Sequence, residues 1–184
     1  MNVTELLLDW YDKNKRDLPW RHTSDPYAVF VSETMLQQTR VDTVIAYYQD
    51  FMRRFPDVFA LANAPEIDVL NTWKGLGYYS RARNLHRAAQ IVAGQFDGRF
   101  SETLEGWLAL PGAGDYIAGA VMSISMGKPC AAVDGNVLRV IARLGGLLTD
   151  ISTPAARREV KARVQEMMPP GRASEFTQAL MELG

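Results

Sequence analysis

An all-α fold is predicted by three observations. Apolar residues recur at helical spacing nearly everywhere, as in Val41, Val44, Ile45, Tyr48, Phe51, Met52 and Phe55, which share one face of a 3.6-residue period. Strand-like alternation is not sustained anywhere in the chain. Capping residues, first-turn prolines and glycines punctuate the sequence at intervals that suit short helices.

Taken in order, the first helix is expected over 3–13. Asp25-Pro26 opens a second over 26–38, and the apolar face above carries a third over 40–55. A short helix over 57–62 follows. Ala64-Pro65 opens 65–73, which stops ahead of Gly75 and Gly77, and Ser80 before Arg81 opens 80–95, closed by Gly98. Helices over 102–109 and 115–126 flank Gly112 and Gly114, and the second of them ends at Gly127. A helix over 136–145 lies between Gly135 and Gly145-Gly146. Thr153-Pro154 then opens 154–168, and Gly171 separates it from the last helix, 172–183. Glycine suits these breaks because it takes positive φ and allows close backbone approach. The connection 147–153 is a candidate lobe boundary.

The 184 residues, 47% hydrophobic and 22% charged, suffice for one globular domain or two small lobes with a real core. One cysteine, Cys130, excludes an internal disulfide, a Cys-built zinc site and an iron–sulfur cluster supplied by this chain, and fits a reduced intracellular setting. The two histidines, His22 and His86, lie far apart in sequence, which argues against a histidine-built metal site. No run approaches the roughly 20 apolar residues that span a bilayer, and Met1 to Asp9 lack a basic flank followed by an apolar block. A soluble, cytoplasmic protein without a membrane partner is expected. A net charge of −1 and a pI near 6.1 give no global attraction to nucleic acid, so any such binding needs a local patch.

That patch exists. Residues 69–96 hold no acid, while Lys74, Arg81, Arg83 and Arg87 supply four positive charges. It opens with Gly75-Leu76-Gly77-Tyr78-Tyr79, a glycine-hinged turn that presents two aromatics just before a helix N-terminus, where backbone N–H groups and the dipole favour an anion. Phosphate positioning beside an aromatic wedge is an arrangement that distorts DNA. A solvated basic helix with Tyr78 and Tyr79 packed in the core fits the same residues. A second turn, Leu110-Pro111-Gly112-Ala113-Gly114, sits between two helices, and its glycines let backbone N–H groups hold a phosphate without net charge. A purely structural helical turn is the alternative there.

Two carboxylates stand in opposite settings. Glu33 is the only charged side chain from Pro26 to Thr39, and its neighbours one helical turn away are Val29, Phe30, Leu36 and Gln37. Desolvation disfavours its carboxylate, as a general acid at neutral pH requires. A structural glutamate paired with an arginine is the competing reading. Asp134 follows the apolar Cys130-Ala131-Ala132-Val133 in an Asp-Gly-Asn turn that begins a helix, where backbone N–H groups should stabilise the ionised form. Alone, it is also an ordinary N-cap. One acid pushed toward protonation and one held ionised is the pairing that cleaves a glycosidic bond through an oxocarbenium-like transition state.

Five stretches in order resemble the helix-hairpin-helix DNA glycosylases, and among them the adenine DNA glycosylases of the MutY type. They are Leu18-Pro19-Trp20-Arg21, Ser32 to Thr39, Gly75 to Leu85, Leu110 to Gly114 and Val133 to Val137, with Phe176 to Gly184 similar to the family's next helix. The resemblance implies a two-lobed helix-hairpin-helix glycosylase fold, with a central lobe over 19–135 and a second lobe formed by 1–18 and 136–184. It implies a monofunctional enzyme of base excision repair. Such an enzyme removes adenine mispaired with 8-oxoguanine or guanine in double-stranded DNA, after flipping the base out of the stack into a pocket between the lobes. Glu33 would protonate adenine N7 and help activate water. Asp134 would stabilise the sugar cation, with Tyr116 and Asn136 in support. Trp20, Arg21, Leu36 and Gln178 would line the base pocket. Gln37, Gln38, Thr39, Gly77, Tyr78, Arg81 and Arg83 would contact DNA, and Leu110, Gly112 and Gly114 would grip phosphate with an alkali cation.

In the endonuclease III type, a pyrimidine-damage glycosylase and lyase, a lysine soon after the hairpin forms a Schiff base; here Asp115-Tyr116 follows Gly114, so the resemblance implies no strand cleavage. A lyase-active pyrimidine glycosylase of that type is one alternative, and a module that binds DNA but has lost the chemistry is another. The family usually continues into a four-cysteine [4Fe–4S] loop and a C-terminal domain that reads 8-oxoguanine, whereas this chain stops at Gly184. It therefore resembles a catalytic core cut short, monomeric and without the cluster.

Overall fold

The computed structural model describes residues 2–146 and 150–184. Among them the chain is helical, with no strand: α1 Val3–Asn14, α2 Pro26–Leu36, α3 Val41–Arg54, α4 Val58–Asn63, α5 Glu66–Thr72, α6 Ser80–Phe96, α7 Leu104–Leu108, α8 Asp115–Met126, α9 Gly135–Gly145, α10 Pro154–Met167 and α11 Ala173–Leu183. Every helix expected from periodicity is found. A single 3₁₀ turn at Pro19–Arg21 is additional, being too short to show a period. The expected connection 147–153 falls partly outside the described residues, at 147–149.

Several local signals act as their chemistry dictates. Asn2 and Glu5 form a capping box on α1, Asp25 caps Tyr27 N ahead of Pro26, and Thr153 caps Ala156 N ahead of Pro154. Ser80, however, does not cap α6: it is the first helical residue, and Tyr79 stands at the cap without a side-chain hydrogen bond. Helix α2 ends at Leu36, two residues before the expected end, because Gln38 takes a left-handed conformation at φ 56.

The helices divide into two compact units, Asp17–Ile117 and Met1–Arg16 with Ala118–Gly184. In the first, α2 is buried from Tyr27 through Met35, and α3 and α6 pack against it. Trp107 meets Phe30 edge-on at 5.5 Å and stacks on Phe100 at 5.0 Å, while Phe51 meets Phe55 and Trp73 edge-on. Tyr27, in the first turn of α2, donates from its hydroxyl to Phe55 O at 2.7 Å.

The second unit packs α1 and α9 against α11, and α10 against α9, around Leu7, Leu8, Ile141, Val160, Phe176 and Leu180. Arg16 grips Glu182 with Nε at 2.7 Å and Nη2 at 2.8 Å, a bidentate pair that ties the end of α1 to α11. The division places residues 118–135 with this unit, whereas the sequence groups them with 19–117. The cause is packing along α8. Gly119 lies under the returning chain, where an added Cβ would come within 2.6 Å of Ala131 O. Gln165 then fastens that chain to α10, accepting from Ala131 N at 3.1 Å and donating to Pro129 O at 2.6 Å.

Gly119→Ala should therefore destabilise the protein, because the atom it strikes is backbone and cannot swing aside. Chemical denaturation should show a loss of about 1–3 kcal/mol. A change within the error of the measurement would show that the return of the chain over α8 is loose.

Candidate active site

Glu33 projects from α2 with only 4% of its surface exposed. A carboxyl so placed loses its hydration and depends on hydrogen-bonding partners in its place. Tyr116, one residue into α8, donates from its hydroxyl to Glu33 Oε2 at 2.5 Å. The two residues are 83 positions apart in the chain and belong to the same unit. Burial on a helix and a phenolic partner fix the direction of one carboxyl oxygen.

Asp134 belongs to the other unit and is half-buried. It is the N-cap of α9, with Oδ1 accepting from Val137 N at 2.8 Å and Oδ2 accepting from Asn136 Nδ2 at 3.0 Å. Asn136 is itself held: its Oδ1 accepts from Arg139 Nη2 at 2.5 Å, and the same nitrogen donates to Gly184 O at 3.1 Å. Gly184 lies against Asn136 so closely that a Cβ would meet the Asn136 Cβ at 2.5 Å. The carboxylate thus receives two donors and keeps both oxygens oriented by one helix start. Arg139 is a support that sequence reading missed; its only signal is its place one turn after Asn136.

Around Glu33 the same unit arranges two exposed turns and a hairpin. Gln38 and Tyr78 are both left-handed, at φ 56 and 48, and both are exposed, Tyr78 by 61%. Tyr79 is 38% exposed, so the alternative that buries the two tyrosines is removed. An exposed tyrosine in a conformation costing about 1–3 kcal/mol is held there by its surroundings. The turn before α6 is pinned by Tyr47, whose hydroxyl donates to Lys74 O at 3.0 Å, and by Trp73, whose Nε1 donates to Gly77 O at 3.1 Å. Gly75 takes φ 105, a conformation suited to glycine, and an added Cβ would sit 2.2 Å from the Tyr47 hydroxyl and displace it.

In the hairpin, Leu110 is buried, and Gly112 takes φ 79 with its α-carbon against Asn84 of α6. A Cβ there would lie 2.9 Å from the Asn84 Cβ. At Gly114 an added Cβ would meet no protein atom within 4 Å, so the backbone ahead of α8 is open to a ligand. Tyr47, Trp73 and Asn84 were not singled out from sequence, because as helix residues their spacing reads only as packing.

The remaining expected residues are placed as follows. Trp20 is 7% exposed and meets Tyr48 edge-on at 5.5 Å; Arg21 and Leu36 are half-buried in the same unit. Gln178 lies on α11 in the other unit, donating to Ser174 Oγ at 3.2 Å. Gln37 and Thr39 flank Gln38 and are half-buried. Arg83 pairs with Glu66 at 3.5 Å, both about half exposed, so the acid-free stretch of sequence has an acid beside it in space and the patch is weaker than it reads. Arg81 is turned inward to the backbone carbonyls of Thr34, Met35, Gln37, Leu76 and Gly77.

The fold and these residues define a class. The chain belongs to the HhH-GPD superfamily of base excision DNA repair proteins, whose family model matches residues 31–169. Among its relatives is the adenine DNA glycosylase of Homo sapiens, 44% identical over 189 residues that cover 97% of this chain and 34% of the relative. The adenine DNA glycosylase of Buchnera aphidicola subsp. Acyrthosiphon pisum is 35% identical over 98% of this chain and 52% of its own. The chain spans about a third to a half of the length of these curated relatives. A solved thermostable thymine-DNA glycosylase superposes with a TM-score of 0.87 at 29% identity, covering 97% of this chain and 82% of that one.

The [4Fe–4S] cluster usual in this family does not fit the residues present. Cys130 is the only cysteine, and its thiol lies 3.9 Å from Met122 Sδ. Among the described residues no group of three or more His, Cys, Asp or Glu is placed to hold a metal ion, and no helix is long and apolar enough to cross a membrane.

Burial beneath the Trp20 region has a measurable consequence at high pH. Tyr48 is pushed up to about 12, first by desolvation and then by the nearby Asp25 carboxylate. Tyr27 is raised further, by desolvation and then by Asp57 and Asp25. In the unfolded chain these phenols ionise near 10, whereas in the folded protein they stay neutral. Stability should then be fully present below pH 10 and fall as pH rises through 10 toward 12. Denaturation midpoints across this range should show the fall, and Tyr48→Phe should flatten it. An unchanged slope in Tyr48→Phe would place Tyr48 in solvent.

Proposed function

We propose that this chain is the catalytic core of a monofunctional adenine DNA glycosylase acting on adenine opposite 8-oxoguanine or guanine. The observation that carries the proposal is the buried Glu33 with the Tyr116 hydroxyl on its Oε2, in the same unit as an exposed tyrosine turn and a glycine hairpin. The named activity of the relatives supports adenine as the base.

The target nucleotide leaves the stack, because its N-glycosidic bond cannot be reached inside the duplex. Trp20, Arg21, Leu36 and Gln178 receive the base. Glu33 gives its proton to adenine N7, which lowers the cost of placing the electron pair of the breaking C–N bond on the base. The sugar becomes an oxocarbenium ion, stabilised by the Asp134 carboxylate or bonded to it transiently. Water then adds to the anomeric carbon and returns a proton to Glu33. Tyr116 and Asn136 keep the two carboxyl groups aimed.

Gln38, Thr39 and Tyr78 occupy the vacated stack and meet the partner base, with Gln37, Gly77 and Arg83 alongside. Leu110, Gly112 and Gly114 hold a phosphate through backbone N–H groups together with an alkali cation. The working form is a monomer on chromosomal DNA in the cytoplasm. Soon after the hairpin, where the endonuclease III type carries its lysine, this chain has Asp115-Tyr116. The chain therefore leaves an abasic site and an intact strand.

Glu33→Gln keeps the side chain's shape and removes the proton. It should abolish single-turnover excision, a loss of at least about 100-fold, while binding to the mispaired duplex stays near that of the parent chain. Near-normal excision by Glu33→Gln would remove Glu33 from its role. Borohydride treatment during reaction should trap no protein–DNA adduct; a trapped adduct would favour the lyase type.

A further inference from the structure

One guanidinium connects the two strained turns. Arg81 Nη1 donates to Thr34 O and Met35 O, each at 2.9 Å, and to Gln37 O. Its Nη2 donates to Thr39 Oγ1 at 3.2 Å, Gly77 O at 3.3 Å and Leu76 O at 3.5 Å. The carbonyls of 34 and 35 are among those that the end of α2 leaves without helical partners, and a cation at a helix C-terminus is favourable. The group also lies over the rings of Trp73 and Tyr78, at 5.4 and 5.5 Å. Its Nε is buried without a hydrogen-bond partner. A group whose terminal nitrogens are taken up by six protein acceptors has little left for a phosphate.

We infer that Arg81 is a positioning residue. It clasps the turn after α2 to the turn before α6, and so holds Gln38 and Tyr78 together in their left-handed conformations, exposed and ready to enter DNA. The sequence reading of Arg81 as a DNA contact gives way to this role. The clasp needs arginine in particular, since a planar fork reaches carbonyls on two sides, whereas the lysine ammonium is a point charge with three donors. The functional part of the inference rests on the proposed entry of Gln38 and Tyr78 into DNA; the clasp itself does not.

The test compares the 184-residue chain with Arg81→Lys, Arg81→Met and Thr39→Val. Without DNA, hydrogen exchange at the amides of 37–39 and 76–78 should accelerate in both Arg81 variants and to a lesser degree in Thr39→Val, while α9 and α11 in the other unit serve as the folding control. With a duplex carrying 2-aminopurine beside an adenine–8-oxoguanine mispair, both Arg81 variants should lose the fluorescence change that reports insertion. Their excision should fall on the order of 100-fold, as for a displaced group near the chemistry. The salt dependence of duplex affinity should stay unchanged, whereas loss of a phosphate contact lowers its slope by about 1. Rescue by Arg81→Lys, or a slope reduced by about one, would overturn the clasp in favour of a phosphate ligand. If the parent chain fails to distinguish the mispaired duplex, the glycosylase reading falls, and the exchange comparison still decides whether Arg81 holds the turns. Should Arg81→Met not fold, Arg81→Lys and Thr39→Val carry the same comparison.

Discussion

Burial of helix α2 is the constraint on which the rest of the Asp17–Ile117 unit depends. Nine consecutive residues, Tyr27 through Met35, are withdrawn from water, and a carboxylic acid is among them. A helix covered on all sides must find neighbours for every face, which α3, α6 and the 3₁₀ turn at Pro19–Arg21 supply. The same covering makes Glu33 unusual, since an acid in such surroundings is costly unless it is partnered. Tyr116 is the partner on one oxygen, and its position at the start of α8 ties the acid to the hairpin that precedes it.

Helix α6 organises the surface side of this unit. Its first turn carries Arg81 and follows the tyrosine turn, and one turn further along Asn84 seats the hairpin at Gly112. Two features proposed to meet DNA are thus fixed to one rigid element and do not depend on loose loops. Rigid mounting suits a site that must hold bent or opened DNA, because strain in Tyr78 and Gln38 is stored before the ligand arrives. In the other unit Asp134 is oriented by the same kind of local device, a helix start, with Asn136 and Arg139 bracing it against Gly184.

Much of this was legible in the sequence because the signals were local. Apolar periodicity, with caps, prolines and glycines at the breaks, located the helices, and the Asp-Gly-Asn turn already read as the N-cap that Asp134 is. What escaped was set by residues distant in sequence. Helix α2 stops at Leu36, and the carbonyls at its end are taken by an arginine more than forty residues away. The sign of Arg81 alone suggested a phosphate contact; only its partners reveal an inward role. The unit boundary at Ile117/Ala118 follows from Gly119 lying under Ala131, a contact that no periodicity announces. Residues 69–96 lack an acid in sequence, yet Glu66 reaches Arg83 in space.

The central proposal is that Glu33 serves as the acid, and Asp134 as the stabiliser of the sugar cation, in breaking an adenine N-glycosidic bond. The most direct measurement is single-turnover reaction of this chain with three duplexes, carrying adenine opposite 8-oxoguanine, guanine and thymine, with and without alkali before the strands are resolved. Alkali-dependent cleavage at adenine is expected in the first two duplexes, none in the third, and no nick without alkali. Binding without any product, or a nick that needs no alkali, would contradict it.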